Sequence, residues 1–291
     1  MSFSGKVKEE ISEVMSSARH CRIAELAVII ELCGKLEYDS DGTKILEIST
    51  ENDVVRRKYF TLLKKTFSIC TSMPPRGEDA ETILETVKKT GVEDLNSPVS
   101  MTILKQSCCK RAFLRGAYMC AGSMSDPKRS YHLEMVCQKE DQATQLMEIM
   151  RHFGLEAKTI ERKQHFVVYI KEGEGIVDFL NICEAHVSLM SMENERILKD
   201  MRNSINRRVN CEAANITKTV NAAAKQLADI DLIRDKMGLQ ELPPNLRMIA
   251  EARLDHPDAT LSELGGYLDP PVGKSGVNHR LRKLSEIAEG L

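Results

Sequence analysis

A long internal repeat constrains the fold of this chain more than any other feature of its 291 residues. Residues 26–34 and 114–122 are apolar runs that end in glycine, which is typical of a helix and its stop. A strand-like alternation follows each run, at 45–48 and at 132–135. The two glycines lie 88 positions apart and the two strand-like runs 87 positions apart. Because the offsets are nearly equal, we predict a duplicated unit rather than two unrelated amphipathic helices.

The remaining elements recur in the same order in both copies. In the first copy a helix, two strands and a closing helix are predicted at 53–67, 67–71, 81–87 and 98–105. In the second copy the matching elements lie at 141–153, 156–161, 164–170 and 175–185. The sequence therefore predicts the α+β class, with a duplicated αββαββα N-terminal domain over 1–186.

The two glycine-ending helices carry small residues that favour close helix–helix packing. These residues are Ala24, Ala27 and Val28 in one helix and Gly116, Ala117 and Ala121 in the other. We expect Gly34 and Gly122 to end their helices in a left-handed backbone conformation.

The runs LAVIIELCG and LRGAYMCAG resemble two degenerate copies of the motif of the LAGLIDADG homing endonucleases. In that family the next-to-last motif residue is an acid, and the two acids hold the divalent metal that cleaves DNA. The matching positions are Cys33 and Ala121, which offer no hard oxygen ligand. Glu31 is expected on a different side of its helix and Asp126 in a turn. We therefore predict that the chain is no enzyme.

Acids are predicted on the open face of the sheet, which would oppose phosphate binding. They are Glu47 and Glu134, joined by Glu85. The basic residues of this domain are expected on helices as solvated charges: Arg56, Arg57, Lys64, Lys65, Lys110, Arg111 and Arg115. This pattern favours a scaffold or protein-binding role over a DNA-binding saddle.

Composition narrows the class of protein further. The net charge of −2 excludes a uniformly basic, histone-like coat, and no apolar run is long enough for a membrane span. The nine cysteines include no Cys-x-x-Cys pair, and Cys33 and Cys120 fall on apolar helix faces. We expect reduced structural thiols in a cytoplasmic protein, with no metal and no cofactor.

Residues 187–235 form a predicted helical linker that is rich in cations. They include Arg196, Lys199, Arg202, Arg207, Arg208 and Lys218. The linker is either a solvated helical face or an arm that contacts phosphates. Gly238 and Pro243-Pro244 then mark the entry to a third segment, 236–291.

This last segment has the pattern of a helix-turn-helix module over 260–291, Thr260 to Leu291, preceded by a short helix at 245–254. Thr260 and Glu263 form a capping box that opens a helix through Leu268. Ser275 is the expected N-cap of the next helix. The core face of that helix is predicted to carry Val277, Leu281, Leu284 and Ala288.

The opposite face has the residue types of a recognition helix: polar groups for base edges and cations for phosphates. The candidate DNA-binding residues are Thr260, Lys274, Ser275, Asn278, His279, Arg280, Arg282 and Lys283. The alternative is a three-helix bundle with a basic surface helix and no DNA.

Two stretches, RAFLRGAYMCAGSMSDPKRSYHLE (111–134) and GKSGVNHRLRKLSEIAE (273–289), are similar to the WhiA regulators of Gram-positive bacteria. The resemblance implies a transcriptional regulator of sporulation or cell division with a sigma-region-4-like C-terminal domain. It also implies association with the nucleoid, a role in chromosome segregation, and a partner regulator that carries an iron–sulfur cluster in spore-forming actinobacteria.

The expected partners are double-stranded DNA and, through the N-terminal domain, another regulatory protein or the transcription machinery, but no membrane. One rival function is a nucleoid-associated structural or adaptor protein that acts through its LAGLIDADG-like domain. The other is a residual metal nuclease, which would need carboxylates at 33 and 121.

Overall fold

The structure is a computed structural model that describes residues 1–69, 73–89 and 95–291. These residues form two compact units, Met1–Lys199 and Asp200–Leu291. The helices of the first unit are α1 (Phe3–Glu13), α2 (Arg19–Cys33), α3 (Asp53–Phe67), α4 (Glu78–Thr86), α5 (Ser107–Ala121), α6 (Glu140–His152) and α7 (Gly173–Ile182). Its strands are β1 (Gly34–Tyr38), β2 (Lys44–Ile48), β3 (Gly122–Met124), β4 (Leu133–Cys137), β5 (Lys158–Arg162) and β6 (His165–Ile170).

The strands form two antiparallel sheets. β1 pairs with β2, and the second sheet has the order β3-β4-β6-β5. In β4 the alternate residues Leu133, Met135 and Cys137 are buried, whereas Val136 is exposed. This period-two pattern places one face of the sheet against the core.

The second copy of the repeat has all the elements that the sequence predicts. α5, β3, β4, α6, β5, β6 and α7 follow one another in the order αββαββα. The α+β fold class is therefore confirmed, and the first copy begins in the same way with α2, β1, β2 and α3.

The first copy then departs from the repeat, and two predictions for it are wrong. The predicted strand 81–87 lies mostly in helix α4. Ala80, Ile83, Leu84 and Val87 are buried, which is the i, i+3, i+4, i+7 spacing of one helix face. Three acids in the first turn of α4 also favour a helix through its dipole.

The predicted closing helix 98–105 is the second error, because these residues form turns. The Val99 amide donates to the side chains of Glu31 (3.1 Å) and Gln145 (3.0 Å), and Gln145 donates back to the Val99 carbonyl (2.8 Å). Side chains from two other helices thus take the backbone groups that a helix would use. The predicted strand 67–71 lies partly outside the described residues, and its first residue, Phe67, ends α3.

Both glycines that follow the repeated helices have extended backbones, so the predicted left-handed caps are wrong. The φ angle is −70° at Gly34 and −86° at Gly122. A Cβ would lie 2.3 Å from the Ile30 carbonyl oxygen at Gly34, and 2.6 Å from the Tyr118 carbonyl oxygen at Gly122. Glycine is needed at both sites because the chain turns from helix into strand against the preceding turn.

The close packing of α2 and α5 is confirmed. Ala24, Ala27 and Ala117 are buried where the two helices meet. A Cβ on Gly116 would lie 2.5 Å from Val28 Cγ1 and 3.0 Å from the Glu25 carbonyl oxygen. The small residues therefore set the distance between the helices.

The second unit is helical. A 51-residue helix, α8 (His186–Lys236), begins in the first unit and continues into the second. It is followed by α9 (Pro244–Asp255), α10 (Leu261–Gly266) and α11 (Lys274–Ala288). Residues 187–235 are helical as predicted, while the domain boundaries at 1–186, 187–235 and 236–291 stay a prediction. Within the described ranges, none of the helices combines the length and the apolar character that crossing a membrane requires.

Candidate nucleic-acid interface

Helix α11 is anchored by the face that the sequence predicts. Val277, Leu281, Leu284 and Ala288 are all at most 5% exposed. They share a core with apolar residues of α8, α9 and α10, including Ile249. The recognition helix of the predicted module thus has one buried face and one face left for other contacts.

The capping box of α10 is also confirmed. The Thr260 amide donates to Glu263 Oε2 at 2.8 Å, and the Glu263 amide donates to Thr260 Oγ1 at 3.4 Å. These backbone and side-chain hydrogen bonds lower the pKa of Glu263. α10 ends at Gly266, earlier than predicted, and Leu268 is buried in the loop that follows.

The predicted N-cap of α11 is wrong by two residues. The helix begins at Lys274, Gly273 is the N-cap, and no side chain caps this end. Ser275 is instead exposed in the first turn. An uncapped helix N-terminus presents backbone N–H groups and a positive dipole end, which suits a phosphate.

The predicted DNA-binding side chains lie on the surface of the second unit. Exposed residues are Thr260, Lys274, Ser275, Asn278, His279, Arg282 and Lys283, and Arg280 is half-buried. The Arg282 side chain is 80% exposed and pairs with Glu286 at 3.4 Å. Such an exposed pair contributes little, so a phosphate or a base can displace it at small cost.

Two clefts divide the exposed face of α11. Asn278 and Arg282 border a cleft that Lys225 of α8 also lines. Lys274, Asn278 and Thr260 border a second cleft, next to α8 and α10. His279 and Lys283 are exposed and line neither of these two clefts.

Arg253 stabilises the loop before α10, a role that the sequence analysis did not identify. It is buried, and its Nη1 donates to the carbonyls of Pro257 (3.2 Å) and Ala259 (2.7 Å). It thereby holds the loop that leads into α10, as a cation that satisfies backbone acceptors.

Cys33 and Ala121, at the carboxyl-terminal ends of α2 and α5, stand where the LAGLIDADG motif has its acids, and neither residue has a carboxylate. Cys33 and Ala121 are both half-buried. A hydrogen bond with Cys120 lowers the pKa of Cys33, while that bond and burial raise the pKa of Cys120. Thiols at this end do not provide the oxygen ligands that Mg²⁺ requires.

The two nearby acids have structural roles. Burial raises the pKa of Glu31 to about 8, and its Oε2 accepts from the Val99 amide. Asp126 Oδ1 accepts from the Lys128 amide at 2.9 Å, which confirms its predicted turn role. Both carboxylates therefore accept backbone hydrogen bonds.

Arg115 was predicted to be a solvated charge, and this is wrong. Its side chain is 1% exposed and contacts Glu25 (3.6 Å), Glu184 (2.7 Å) and Ser16 (2.8 Å). Lys58 lies on the other side of Glu25, at 3.3 Å. Burial raises the pKa of Glu25, and the two cations oppose that shift.

The acids predicted for the open sheet face divide into two groups. Glu47 is exposed on β2, and Glu134 on β4 is half-buried beside His132, with the Nε2–Oε2 distance at 3.1 Å. Glu85 was placed wrongly, because it lies on helix α4. Of the basic residues of this unit, Arg56, Arg57, Lys64 and Lys65 are exposed and Lys110 and Arg111 are half-buried.

The cations of the predicted linker lie along α8. Arg202, Arg207 and Lys218 are exposed, and Arg196 and Lys199 are half-buried. Arg208 is exposed and pairs with Glu212 at 3.1 Å.

A duplicated LAGLIDADG-like domain followed by a helix-turn-helix domain is the class of protein that this fold and site define. Family models agree: the WhiA N-terminal LAGLIDADG-like domain matches 19–78, the WhiA LAGLIDADG-like domain 110–202, and the WhiA C-terminal HTH domain 205–288. The chain belongs to the WhiA family.

Curated relatives and a solved structure match over the full length. The chain is 50% identical to a probable cell division protein WhiA of Lachnoclostridium phytofermentans, covering 100% of the chain and 99% of that protein. A protein of the same name in Alkaliphilus oremlandii is 44% identical, with 100% and 98% covered. The crystal structure of full-length DUF199/WhiA from Thermatoga maritima is similar at a TM-score of 0.57 and 25% identity, with 100% and 99% covered.

Proposed function

We propose that this chain is a DNA-binding regulator of cell division whose helix α11 docks in the major groove. The helix-turn-helix domain and the name of its relatives support this role. The observation that carries the proposal is the exposed face of α11, opposite its four buried residues. That face has no acid between Lys274 and Ser285.

Two sets of side chains divide the work on the duplex. Asn278, His279 and Arg282 reach base edges, with Asn suited to adenine and Arg to guanine. Phosphates are met by Ser275 and the uncapped N-terminus of α11, and by the remaining candidates: Thr260, Lys274, Arg280 and Lys283. Exposed cations of α8 add further phosphate contacts.

In this proposal the chain acts in the cytoplasm, in association with the nucleoid, as a transcriptional regulator. It affects cell division, chromosome segregation and sporulation. Nuclease activity is lost, because Cys33 and Ala121 cannot hold a catalytic metal. The N-terminal unit binds another regulatory protein or the transcription machinery. The exposed acid Glu47 on its sheet supports a protein partner over a phosphate backbone.

A second candidate function is a nucleoid-associated structural or adaptor protein that acts through the N-terminal unit. The same exposed Glu47 favours it, and it makes a different prediction for α11. Under this alternative, substitutions at Arg282 leave the affinity for DNA unchanged.

The deciding experiment is equilibrium binding of the full chain to fragments recovered by mapping its DNA occupancy in cells. Arg282→Ala is expected to weaken specific binding by ~1–3 kcal/mol because a bidentate guanine contact is lost. Arg282→Lys keeps the charge but not the planar fork, so it should lose specificity and keep nonspecific binding. Lys158→Ala, an exposed cation on β5, is the matched control and should bind as the unmodified chain does.

A further inference from the structure

Four metal-ligating side chains meet at the amino-terminal ends of α2 and α5. They are His20, Cys21, Cys108 and Cys109, and their donor atoms all lie within 4.8 Å of one another. His20 Nδ1 is 3.2 Å from Cys109 Sγ and 3.3 Å from Cys21 Sγ. Cys33 and Ala121 lie at the opposite ends of these two helices. The cluster is therefore separate from the motif positions, and it is not part of the helix-turn-helix.

The cluster is a product of the duplication. His20 and Cys21 are the second and third residues of α2, and Cys108 and Cys109 are the second and third residues of α5. Each pair therefore occupies the same place in its copy of the repeat. The close approach of the helices at Gly116 then brings the two pairs together.

The chemistry of the donor set selects a soft or borderline metal. Three thiolates and one imidazole are the ligands of a closed, tetrahedral Cys₃His zinc site. With Zn–S near 2.3 Å and Zn–N near 2.0 Å, a tetrahedron separates its donors by about 3.5–3.8 Å. The His20 contacts reach this separation with shifts of a few tenths of an ångström, and hard cations such as Mg²⁺ are excluded by the lack of oxygen ligands.

Without a bound cation, the negative charges of three thiolates in this cluster would not be balanced. The sulfur atoms lie within 4.8 Å of one another, so three thiolates there would repel. A divalent cation removes this repulsion and leaves a site of charge −1. The positive N-terminal ends of two helices favour that charge.

We propose that His20, Cys21, Cys108 and Cys109 form a structural zinc site that fastens α2 to α5. Zn²⁺ binds the neutral imidazole at Nδ1 and three sulfurs, and each thiol that becomes a ligand releases one proton to solvent. Because the protein fills all four positions, the site stabilises the fold and leaves no position for substrate. His20 and Cys108 are exposed, which gives the metal a path in.

The test uses the full chain, purified under reducing, anaerobic conditions and stripped with a chelator. Zinc should bind at one ion per chain and raise the melting temperature. Cobalt should give thiolate-to-metal charge-transfer bands and the visible bands of tetrahedral Co²⁺, both lost on adding zinc. Cys108→Ser, at an exposed position that tolerates serine, should fold in the absence of metal as the unmodified chain does. It should lose the melting shift and bind cobalt at least tenfold more weakly.

Cys211→Ser is the matched control, an exposed cysteine on α8 outside the cluster. It should bind zinc and cobalt like the unmodified chain. Substoichiometric metal in the unmodified chain, cobalt spectra without thiolate bands, or equal binding by Cys108→Ser and Cys211→Ser would each overturn the proposal. So would a disulfide between Cys21 and Cys108 or Cys109 that persists under the reducing conditions of the purification.

Discussion

Two helical arginines, Arg115 in the first unit and Arg282 in the second, lie in opposite environments. In the first unit, Arg115 is 1% exposed and contacts the buried Glu25 of α2 and the exposed Glu184, whereas Arg282 in the second unit is 80% exposed. Arg115 lies on a helix whose residues 112–119 are all buried. Arg282 lies on the side of α11 away from its apolar core. A helical arginine that is enclosed by neighbouring elements stabilises the fold, whereas one on an exposed helix face is available for a ligand.

The strongest test of this difference is Arg115→Met. The substitution keeps the volume but leaves Glu25 buried with only Lys58 as its partner. We expect the free energy of unfolding to fall by ~3–5 kcal/mol, as for other broken buried ion pairs. Urea unfolding measures this. Arg56→Met, on the exposed face of α3, should change it by less than about 1 kcal/mol; equal losses would mean that burial does not separate the two kinds of cation.

A smaller effect is expected at two glycines with different surroundings, Gly122 in the first unit and Gly266 in the second. Gly122→Ala places a Cβ 2.6 Å from the Tyr118 carbonyl oxygen and should cost ~1–3 kcal/mol by overpacking. Gly266→Ala meets no atom within 4 Å and should be neutral to within ~0.5 kcal/mol. Thermal unfolding of both variants compares them, and a neutral Gly122→Ala would refute the packing explanation.

The buried Glu31 predicts a pH dependence that exposed acids lack. Its pKa rises from 4.5 to about 8 on folding, so between these values the folded state holds a proton that the unfolded state has lost. This contribution to stability is full below pH 4.5 and is lost as the pH rises to about 8. The slope is at most about 1.4 kcal/mol per pH unit.

Urea unfolding over this pH range should be flatter for Glu31→Gln, which keeps an oxygen that accepts from the Val99 amide. Glu148→Gln, at an exposed position on α6, should keep the pH profile of the unmodified chain. Identical profiles for all three proteins would place the titration elsewhere.

Periodicity predicted the elements whose pattern is local. The spacing of Val277, Leu281 and Leu284 specified the buried face of α11, and the matched glycines revealed the repeat. The repeat gave the wrong prediction at 81–87, because it suggested a strand where the buried residues have helical spacing. The repeat was the weaker guide there because duplicated copies diverge.

Other features could not be predicted because they depend on distant residues. The turn at 98–105 is fixed by Glu31 and Gln145, which lie far away in sequence. The same is true of the donor cluster at α2 and α5: each half is a pair of adjacent residues, unlike the spacing of known zinc motifs. Burial of Arg115 likewise required knowing which helix packs against α5.

Binding of DNA by the exposed face of α11 is tested by the double variant Arg282→Ala, Lys283→Ala. Affinity of the full chain should be measured over a range of salt concentrations on its mapped sites and on unrelated duplex. We expect at least about tenfold weaker specific binding and a salt slope reduced by ~1–2. The adjacent exposed lysines of α3, removed as Lys64→Ala, Lys65→Ala, should change neither. Unchanged affinity and slope in the α11 variant would contradict DNA binding by this face.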